Sequence, residues 1–549
     1  MSWRLSVLLL LVSAALLEGS ALPAVSSYEF TAFRMQQYNL GRHKYGCRGA
    51  FVVAEARTVD EPVLMRRCVV MKVSDFTVKN VLEAQKQKAA AILVLLPRNM
   101  SSVSPEDRQS FMEAEAHVLQ KESLTPLYVT PEDEQLLFMY QELRQTVAFR
   151  TSSIFIRVLR SMVTSTAFQI LVSNNSPIKP ITETTVHALE GVLQGAGEDP
   201  PTIVVTATYD SYGLAPWLSF GADSNASGVT LLLELIRLFS KMYSSPRTRP
   251  QFNLMFALSG GGKYNFIGTK RWIEENVDHA ETSFLQQHVS FVLCLDTLGG
   301  GESLFAHVSR PPHPNTPLGA FTQILDEVIS SRFPSLAFGV VHKKINLGES
   351  LVSWEHERFS LRRVPAFTLS RLEDPKDPSR GSVLDTRCVV EDQRMRRSGV
   401  LVAEALGRFM FNLSHLGSPR DLQLFRGQLE LHDSRMSSLL TALASVPRAA
   451  QLLDQDPNQV QVLDSLELEF RQYLRSVRRY SFTMDKREPE ITFFDQMKQP
   501  IVMYRLKPAA FDLFLGGCIA VYLGLVYSAV QNFGLLYSRL KAAVRSKTQ

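Results

Sequence analysis

The stretch Thr202–Gly228 constrains the fold of this chain more than any other part of the sequence. It begins with an apolar, β-rich run at Ile203–Val205, passes Asp210 and a loop, and ends in a Gly- and Ser-rich turn at Gly221–Gly228. The turn leads into a long apolar segment, Val229–Phe239, which predicts a helix. Open α/β sheets place their ligands where a strand leads through a loop to a helix N-terminus. The sequence therefore predicts an α/β domain with a site at this end of its sheet.

The same alternation of strands and helices continues to residue 415. Strands separated by helices predict a mainly parallel sheet that is covered on both faces. The predicted strands are almost continuously apolar, as strands buried on both faces are. In chain order the predicted elements are the strands Phe168–Val172, Val186–Leu193 and Ile203–Val205, helix Val229–Tyr243, strand Phe252–Leu258, helix Phe266–Asn276, strand Phe291–Leu295, helix Gly319–Ser331, strand Ala366–Leu369 and helix Gly399–Asn412.

A chain of 549 residues is long enough for more than one domain. A strand–helix–strand unit at Cys68–Leu96 predicts a small α/β lobe before the main sheet. After the sheet, charged and Leu-rich segments at Asp421–Leu443 and Asp456–Tyr480 have a helical period, which predicts a stalk. The predicted parts are a signal peptide at 1–27, an N-terminal α/β lobe at 28–160, the main sheet domain at 161–415, a helical stalk and membrane-proximal connector at 416–508, a transmembrane helix at 509–531 and a basic tail at 532–549.

Both ends of the chain carry membrane-targeting patterns. Arg4 precedes the uncharged run Leu5–Leu17, and small residues follow, so we expect a signal peptide cleaved between Ala21 and Ser27. An uncleaved anchor is the alternative. Near the other end, Leu513–Val530 is an uncharged and mostly apolar run that can span a hydrocarbon core of ~30 Å. The alternative for this run is a buried helix of a soluble domain.

The residues after the predicted span indicate its orientation. They include Arg539, Lys541, Arg545 and Lys547 and no acidic residue, and basic flanks favour the cytosolic side. With a signal peptide at the other end, this predicts a single-pass type I protein with its bulk in the lumen. The basic C-terminus resembles retrieval signals of endoplasmic reticulum membrane proteins, which are addresses read by receptors. We therefore expect localisation to the endoplasmic reticulum membrane.

Charge and cysteine usage exclude two classes of function. The net charge of +5 is mild for this length, and no basic stripe alternates with aromatic residues, so direct nucleic-acid binding is not expected. The five cysteines include no CxxC pair, which excludes a zinc ribbon or a thioredoxin-like motif. Cys47 and Cys68 either form a disulfide in an oxidising compartment or are two unpaired buried thiols.

Four glycosylation sequons fit a lumenal body. Asn412 is the best candidate, because it follows a predicted helix and precedes a Gly- and Pro-containing break. Asn99 and Asn174 are further candidates. Asn225 lies in the tight helix entry, where we do not expect a glycan.

The strand, loop and turn at Thr202–Gly228 resemble the zinc aminopeptidase/transferrin-receptor-like superfamily. In that family the strand ends in His-x-Asp, and Gly-Ala-x-Asp-Asn-x-Ser-Gly introduces the helix. The resemblance implies an aminopeptidase-like fold whose active members hold two zinc ions. Such a site needs about five ligands and a carboxylate that moves a proton between water and the leaving amine.

This chain keeps the family's frame and lacks most of its ligands. Thr208 stands at the His position and Ser224 at the metal-bridging Asp position, where a hydroxyl cannot neutralise two zinc ions. The Glu-Glu pair falls on Gly262, the general-base position, and on Lys263, whose ammonium repels a metal cation. Asp296 keeps a ligand position.

Two further observations complete this comparison with the family. Asp210 survives, although it can support only a ligand that is absent, and no His occurs between His356 and His415 to supply the fifth ligand. The resemblance implies a pseudo-aminopeptidase without metal or other cofactor. Its vestigial site positions are Thr208, Asp210, Ser224, Gly262, Lys263 and Asp296.

Other catalytic motifs are missing from the sequence. The run Gly260–Lys263 lacks the spacing of a phosphate-binding loop, because Ala257 and Tyr264 stand where Gly and Ser or Thr are required. No Gly-x-Ser-x-Gly nucleophile elbow is present either.

A narrower resemblance, to the nicalin family of nicastrin-like proteins, covers Tyr28 to Gln549. It rests on the degenerate motifs Thr208–Asp210, Gly221–Asn225, Ser259–Phe266, Lys270–Trp272, Cys294–Thr297, Trp354–Phe359 and Asp495–Gln499. The resemblance implies a type I endoplasmic reticulum membrane protein with an inactive lumenal domain. It also implies a complex with Nomo and transmembrane protein 147, association with the ribosome-bound translocon that inserts multi-pass membrane proteins, and a role in Nodal signalling.

Three hypotheses on function follow from these observations. The first is a non-catalytic scaffold subunit, motivated by the missing ligands. The second is a residual hydrolase that uses Asp210 and Asp296. The third is a lumenal receptor that binds peptide ends in the old cleft, with Lys263 holding a carboxylate.

Overall fold

The structure is a computed structural model that describes residues 27–148, 167–173, 177–181, 183–278, 289–348, 351–413, 422–453, 457–506, 509–534 and 537–539. Three predictions fall on residues outside these ranges: the signal peptide at 1–26, Asn174, and the end of the basic tail at 540–549. The structure does not test them.

The strands are β1 Ser27–Arg34, β2 Gln37–Leu40, β3 His43–Cys47, β4 Val53–Thr58, β5 Cys68–Lys72, β6 Ala91–Leu96, β7 Glu122–Ser123, β8 Leu127–Pro131, β9 Ala167–Val172, β10 Thr185–Leu193, β11 Thr202–Thr208, β12 Asn253–Ser259, β13 Val289–Leu295, β14 Ser303–Val308, β15 Ala337–His342, β16 Ala366–Ser370, β17 Ser476–Thr483, β18 Ile491–Phe493 and β19 Lys498–Leu506.

The α-helices are α1 Val78–Lys86, α2 Pro105–Leu119, α3 Glu134–Ala148, α4 Gly228–Ser244, α5 Ile267–Ile273, α6 Pro317–Arg332, α7 Glu355–Leu361, α8 Asp392–Met410, α9 Asp433–Ala444, α10 Pro457–Tyr473 and α11 Ala509–Gln531.

The main sheet has eight strands in the order β15-β14-β16-β13-β11-β12-β10-β17. Its four central strands, β16, β13, β11 and β12, are parallel, as the sequence predicts. The outer part is mixed, because β10 runs antiparallel to β12 and β17, and β14 runs antiparallel to β16. Every residue of β11 is buried, which agrees with a strand covered on both faces.

Helix α4 is the central covering helix and follows directly from the Gly221–Gly228 turn. Almost all of it is buried, including Glu234 and Arg237, which form a salt bridge of 2.6 Å within the helix. Each buried Leu of such a helix contributes roughly 1.5–3 kcal/mol relative to an exposed one. This packing fixes the start of α4 against the sheet, next to the carboxyl ends of β11 and β13.

The N-terminal lobe is a closed barrel of the strands β1, β19, β9, β4, β5, β6 and β8. Strand β1 pairs antiparallel with β19 from Ser27 opposite Tyr504 to Phe33 opposite Lys498. The prediction that residues 28–160 form this lobe alone is therefore corrected, because β9 and β19 lie outside that range. A barrel removes the exposed edges that an open sheet of this kind would leave.

The prediction of a helical stalk at 416–508 is wrong. Helices α9 and α10 pack against α4, β17 adds to the main sheet, β18 pairs with β2, and β19 closes the barrel. The helical period that predicted Asp456–Tyr480 ends at Tyr473 in the structure. Strand β17, SVRRYSFT, is partly or fully exposed throughout, so it lacks the apolar alternation that identifies a strand.

Helix α11 covers the range for which the sequence predicts a membrane span. Within the described part of the chain, no helix combines the length and the apolar character needed to cross a bilayer. The predicted span at 509–531 is not confirmed and stays a prediction.

Candidate functional site

The six vestigial positions lie together at the carboxyl ends of the central strands. Thr208 ends β11, Asp296 follows β13, and the Gly260–Lys263 turn follows β12. The turn Ala222–Ser227, which includes Ser224, faces them at the start of α4. This is the position at which parallel α/β sheets place their sites. We call the space between these groups the cleft.

Asp210 anchors the Gly-rich turn. Its Oδ1 accepts the backbone N–H of Gly262 at 2.8 Å, and its Oδ2 accepts that of Lys263 at 3.4 Å. Burial raises the pKa of this carboxyl above its usual range, although the two N–H donors and the Lys263 ammonium oppose that shift. Both carboxylate oxygens are therefore occupied by the chain itself.

Gly262 leaves no room for a general base. A Cβ atom at this residue would lie 2.5–2.6 Å from the side-chain atoms of Thr208, much closer than side chains approach. Thr208 thus fills the space that a side chain at position 262 would need. Gly262 and Thr208 stand where the family has its general base and its His ligand. These two replacements fit each other in size, because the glycine leaves room for the β-branched threonine.

Ser224 lies in the helix entry, where Asp385 holds the backbone. The N–H groups of Asp223 and Ser224 donate to the Asp385 carboxylate at 2.9 and 2.8 Å. The peptide bond between Ser224 and Asn225 is cis. Ser224 Oγ donates to the carbonyl of Arg380 at 2.8 Å, and Lys263 Nζ donates to Ser224 Oγ at 2.5 Å.

The Lys263 ammonium stands inside the cleft. Burial and, to a smaller extent, the nearby Arg380 guanidinium lower its pKa to about 8, against the opposing effect of Asp296, Asp210 and Asp385. Three carboxylates therefore surround this one amine.

Arg380 supplies a second positive charge to the cleft. Its Nε lies 3.6 Å from Asp296 Oδ2, its NH1 donates to the carbonyl of Ser353 at 2.8 Å, and its guanidinium lies 4.1 Å from the centroid of the Trp354 ring. Burial alone would raise the pKa of Asp296, but Arg380 and Lys263 outweigh it and lower that pKa. Ser370 Oγ also donates to Asp296 Oδ2, at 3.1 Å.

These residues do not fit the zinc pair that the fold family implies. A lysine ammonium and an arginine guanidinium occupy the space next to the surviving carboxylates, and like charges repel a divalent ion. In the described ranges of the chain, no group of three or more His, Cys, Asp or Glu residues is placed to hold a metal ion.

The two buried histidines near the cleft have hydrogen-bond partners other than its carboxylates. His356 Nδ1 shares a hydrogen bond of 2.9 Å with Thr368 Oγ1, and burial lowers its pKa to about 3. His307 stacks on Trp354 at 4.1 Å, and burial lowers its pKa to about 4. Both imidazoles are neutral at pH 7 and serve packing and hydrogen bonding.

The region 416–508, for which the sequence predicts a stalk, contributes directly to the cleft through Arg448. This fully buried side chain donates from Nε to the carbonyl of Tyr209 at 3.0 Å and from NH2 to that of Gly221 at 3.1 Å, and NH1 donates to the carbonyl of Leu443. Arg448 therefore ties the loop after β11 to the helix entry. Burial lowers its pKa to about 10.

Sequence reasoning missed Arg380, Asp385 and Arg448, which shape the cleft, and Glu115, which bonds Leu214, Ser382 and Val383 at the junction with the N-terminal lobe. Each lies in a loop or helix distant in sequence from β11, and none belongs to a motif. The one sequence signal for any of them is weak: Asp385 is an acidic residue that directly follows the apolar pair Val383–Leu384.

The cysteine and sequon predictions can be placed on the fold. Cys47 and Cys68 are buried free thiols, which agrees with the unpaired alternative. Asn99 and Asn412 are exposed, whereas Asn225 is buried and its Nδ2 donates to the carbonyls of Thr208 and Leu295. Glycosylation of any of them stays a prediction.

The sequence matches Peptidase family M28 over residues 189–337. It is 45% identical to the BOS complex subunit NCLN of Canis lupus familiaris, over 99% of this chain and 97% of that relative. The protein of the same name from Homo sapiens is 44% identical over 99% of this chain and 97% of its own length. Nicalin of Caenorhabditis elegans is 28% identical, over 91% of this chain and 89% of its length.

Among solved structures, the gamma-secretase component nicastrin superposes with a TM-score of 0.56 at 12% identity. The match covers 86% of this chain and 99% of that one. At this identity the likeness shows a shared fold alone.

Proposed function

Because the chain belongs to the nicalin family, we propose that it is a non-catalytic scaffold subunit of a membrane protein complex. The relatives named as BOS complex subunits support membership in a complex of several subunits. The match to Peptidase family M28 supports descent from a peptidase fold. The proposed role is to hold partners by its surfaces and to carry out no reaction in its cleft.

One observation carries this proposal: the chain's own cations close the cleft. Lys263 is hydrogen-bonded to Ser224, and Arg380 faces Asp296 and stacks on Trp354. Co-catalytic chemistry needs metal ions that polarise a carbonyl and activate a water molecule. Neither cation can bind and activate a water molecule in this way, because a protonated nitrogen accepts no lone pair as a metal ion does.

The proposed location is the endoplasmic reticulum membrane, with the bulk of the chain in the lumen. The exposed apolar side chains of α11, including Leu513, Val521 and Val530, support a membrane-embedded helix there, because such a surface is unfavourable in water. In this proposal the sequence-predicted span at 509–531 anchors the chain, and the signal peptide sets the type I orientation. The proposed partners are Nomo, transmembrane protein 147 and the translocon that inserts multi-pass membrane proteins, with a role in Nodal signalling.

The two alternative functions are disfavoured by the cleft's hydrogen bonds. A residual hydrolase would need a free carboxylate, but both oxygens of Asp210 accept backbone N–H groups and Asp296 faces Arg380. A peptide-end receptor would need an uncompensated cation, but three carboxylates surround Lys263. Both alternatives therefore require the cleft to open first.

Purification of the full-length chain from membranes in a mild detergent tests the scaffold proposal. We expect stoichiometric partner subunits to co-elute, and elution of the chain alone would contradict the proposal. Metal analysis and an aminopeptidase assay on the same sample test the catalytic alternative. Bound zinc near one equivalent that is lost in Asp296→Ala, together with peptide hydrolysis, would support the hydrolase instead.

A further inference from the structure

The two edges of the main sheet are protected to different degrees. Edge strand β17 carries Arg478 and Arg479, and the Arg479 guanidinium pairs with Asp464 at 2.8 Å and Glu467 at 3.4 Å on α10. Tyr480 also donates to the buried Glu190 at 2.7 Å. Charged side chains and a covering helix are two devices that keep a strand edge from pairing with other chains. The edge at β17 uses both.

Edge strand β15 lacks these devices. Its sequence, AFGVVH, has no Lys, Arg, Asp or Glu, and Val340 is 44% exposed. Among the described residues, β14 is the strand that pairs with it, and nothing pairs with its outer side. The small sheet formed by β18, β2, β3 and β7 ends in strands of three and two residues, so it offers much shorter edges.

The register identifies which backbone groups of β15 face outward. Ala337 N–H donates to the carbonyl of Glu302 at 3.0 Å, and Lys343 N–H donates to that of Val308 at 3.1 Å. In a parallel ladder alternate residues bond the same neighbour, so the odd-numbered residues between them face β14. The N–H and C=O groups of Phe338, Val340 and His342 therefore point away from the sheet, ready to pair with a further strand.

The carboxyl end of this edge is basic. Lys343 and Lys344 are exposed directly after β15, and the exposed Arg310 follows β14 beside them. We propose that β15 receives an extended segment of a partner polypeptide as a ninth strand of the sheet, with acidic side chains where that segment passes these cations. The proposal rests on the scaffold function and assigns a surface to it.

Hydrogen exchange on the purified complex tests this assignment directly. The amides of Phe338, Val340 and His342 should exchange at least tenfold more slowly in the complex than in the chain stripped of its partners. Those of Gly339 and Val341 already bond β14, so they should change little. Unchanged rates at Phe338, Val340 and His342 would overturn the proposal.

Val340→Pro is the matching variant, because it removes an outward N–H and leaves the bonds to β14 in place. We expect the amount of co-purified partner to fall at least tenfold or to zero, while the melting temperature of the purified protein stays unchanged. Thr483→Pro, which removes an outward N–H at the exposed end of β17, is the control and should keep the partner. If Val340→Pro misfolds, Val340→Lys makes the same test by guarding the edge with a charge.

The possible outcomes separate the two proposals. A wild-type chain with no stoichiometric partner contradicts the scaffold function itself. A partner that stays bound to both Val340 variants contradicts the β15 site alone. Sedimentation that shows a dimer of this chain, abolished by Val340→Pro, also overturns it, because a second copy would then occupy the edge.

Discussion

The cleft and the junction between the two lobes each bury a carboxylate, and they stabilise it in different ways. In the cleft, Asp296 faces the guanidinium of Arg380, and cations lower its pKa. At the junction, Glu115 of α2 accepts the N–H groups of Leu214 at 2.7 Å and Val383 at 3.1 Å and the hydroxyl of Ser382 at 2.5 Å. These three donors are neutral, and burial raises the pKa of Glu115 to about 7.

The two carboxylates respond differently to pH. A carboxylate paired with a cation stays ionised at neutral pH, so Asp296 keeps its negative charge there. A carboxylate held by neutral donors gains or loses its proton near pH 7, so the contact between the lobes changes its charge there. The Asp296–Arg380 pair thus keeps its charges near neutral pH, whereas the Glu115 carboxyl at the junction titrates there.

The largest expected effect comes from removing the cation that defines the cleft. Arg380→Met leaves Asp296 buried beside one remaining cation and also loses the bond to the Ser353 carbonyl. We expect a loss of about 3–5 kcal/mol in the free energy of unfolding, as for other buried pairs that lose one partner. Urea unfolding of the purified protein measures it.

Lys376→Met on the same loop is the matched control, since Lys376 is exposed, and it should change stability by less than about 0.5 kcal/mol. Equal effects of the two substitutions would remove the distinction between cleft and surface charge.

The second prediction concerns the pH dependence of the junction. The pKa of Glu115 in the fold, about 7, lies above the ~4.3 of an exposed Glu, so the folded state binds more protons between these values. This stabilising contribution is complete below pH ~4.3 and is lost as the pH rises through about 7. Glu115→Gln should therefore flatten the stability profile by about 2–3 kcal/mol between pH 5 and 7.

Thermal or urea unfolding at several pH values compares the two proteins. Ser382 can turn its hydroxyl from donor to acceptor, so the amide of Gln keeps the contacts of the carboxyl group. Asp385 and Glu355, whose pKa values burial raises to about 6 and about 7, are present in both proteins and cancel in the difference. Parallel pH profiles of wild type and variant would contradict the assignment to Glu115.

A third prediction tests how tightly the cleft is filled. Gly262→Ala places a methyl group against Thr208 and should cost about 1–3 kcal/mol through overpacking. Thr208→Gly removes the atoms that it meets. The double variant should be more stable than the sum of the two single losses by about 1 kcal/mol or more. Additive losses would show that the two residues do not compete for the same space.

The smallest expected effect is that of metal ions. With Lys263 and Arg380 in place, addition of zinc or of a chelator should leave the melting temperature of the wild-type protein unchanged within error. A ligand present at 100 times its Kd would add about 2.7 kcal/mol, which melting curves detect easily. A clear zinc-dependent rise in melting temperature would show that the cations do not close the cleft.

The local pattern of the sequence predicted the central architecture well. The run Ile203–Val205, Asp210 and the Gly221–Gly228 turn lie where an α/β site was expected, because each element is specified by neighbouring residues. The six vestigial positions also converge as the family resemblance implied. Whether they bind anything was not testable from pattern alone.

The misses all involve long-range pairing. The sequence predicts the start of β17 as the end of a helix, because the exposed and charged residues of this strand lack the apolar alternation of a strand. Arg448 reaches the carbonyls of Tyr209 and Gly221 across more than 200 residues, and Arg380 reaches Asp296 across 84 residues (380 − 296). Such partners follow from the tertiary fold and leave no trace in local composition.

The pairing of β1 with β19 has a consequence for biosynthesis. Ser27 lies opposite Tyr504, so these two residues are made 477 positions apart (504 − 27). At about 5–20 residues per second, translation separates them by roughly 25–95 s. During that interval one side of β1 has no partner strand, so the barrel can close only after β19 has been synthesised.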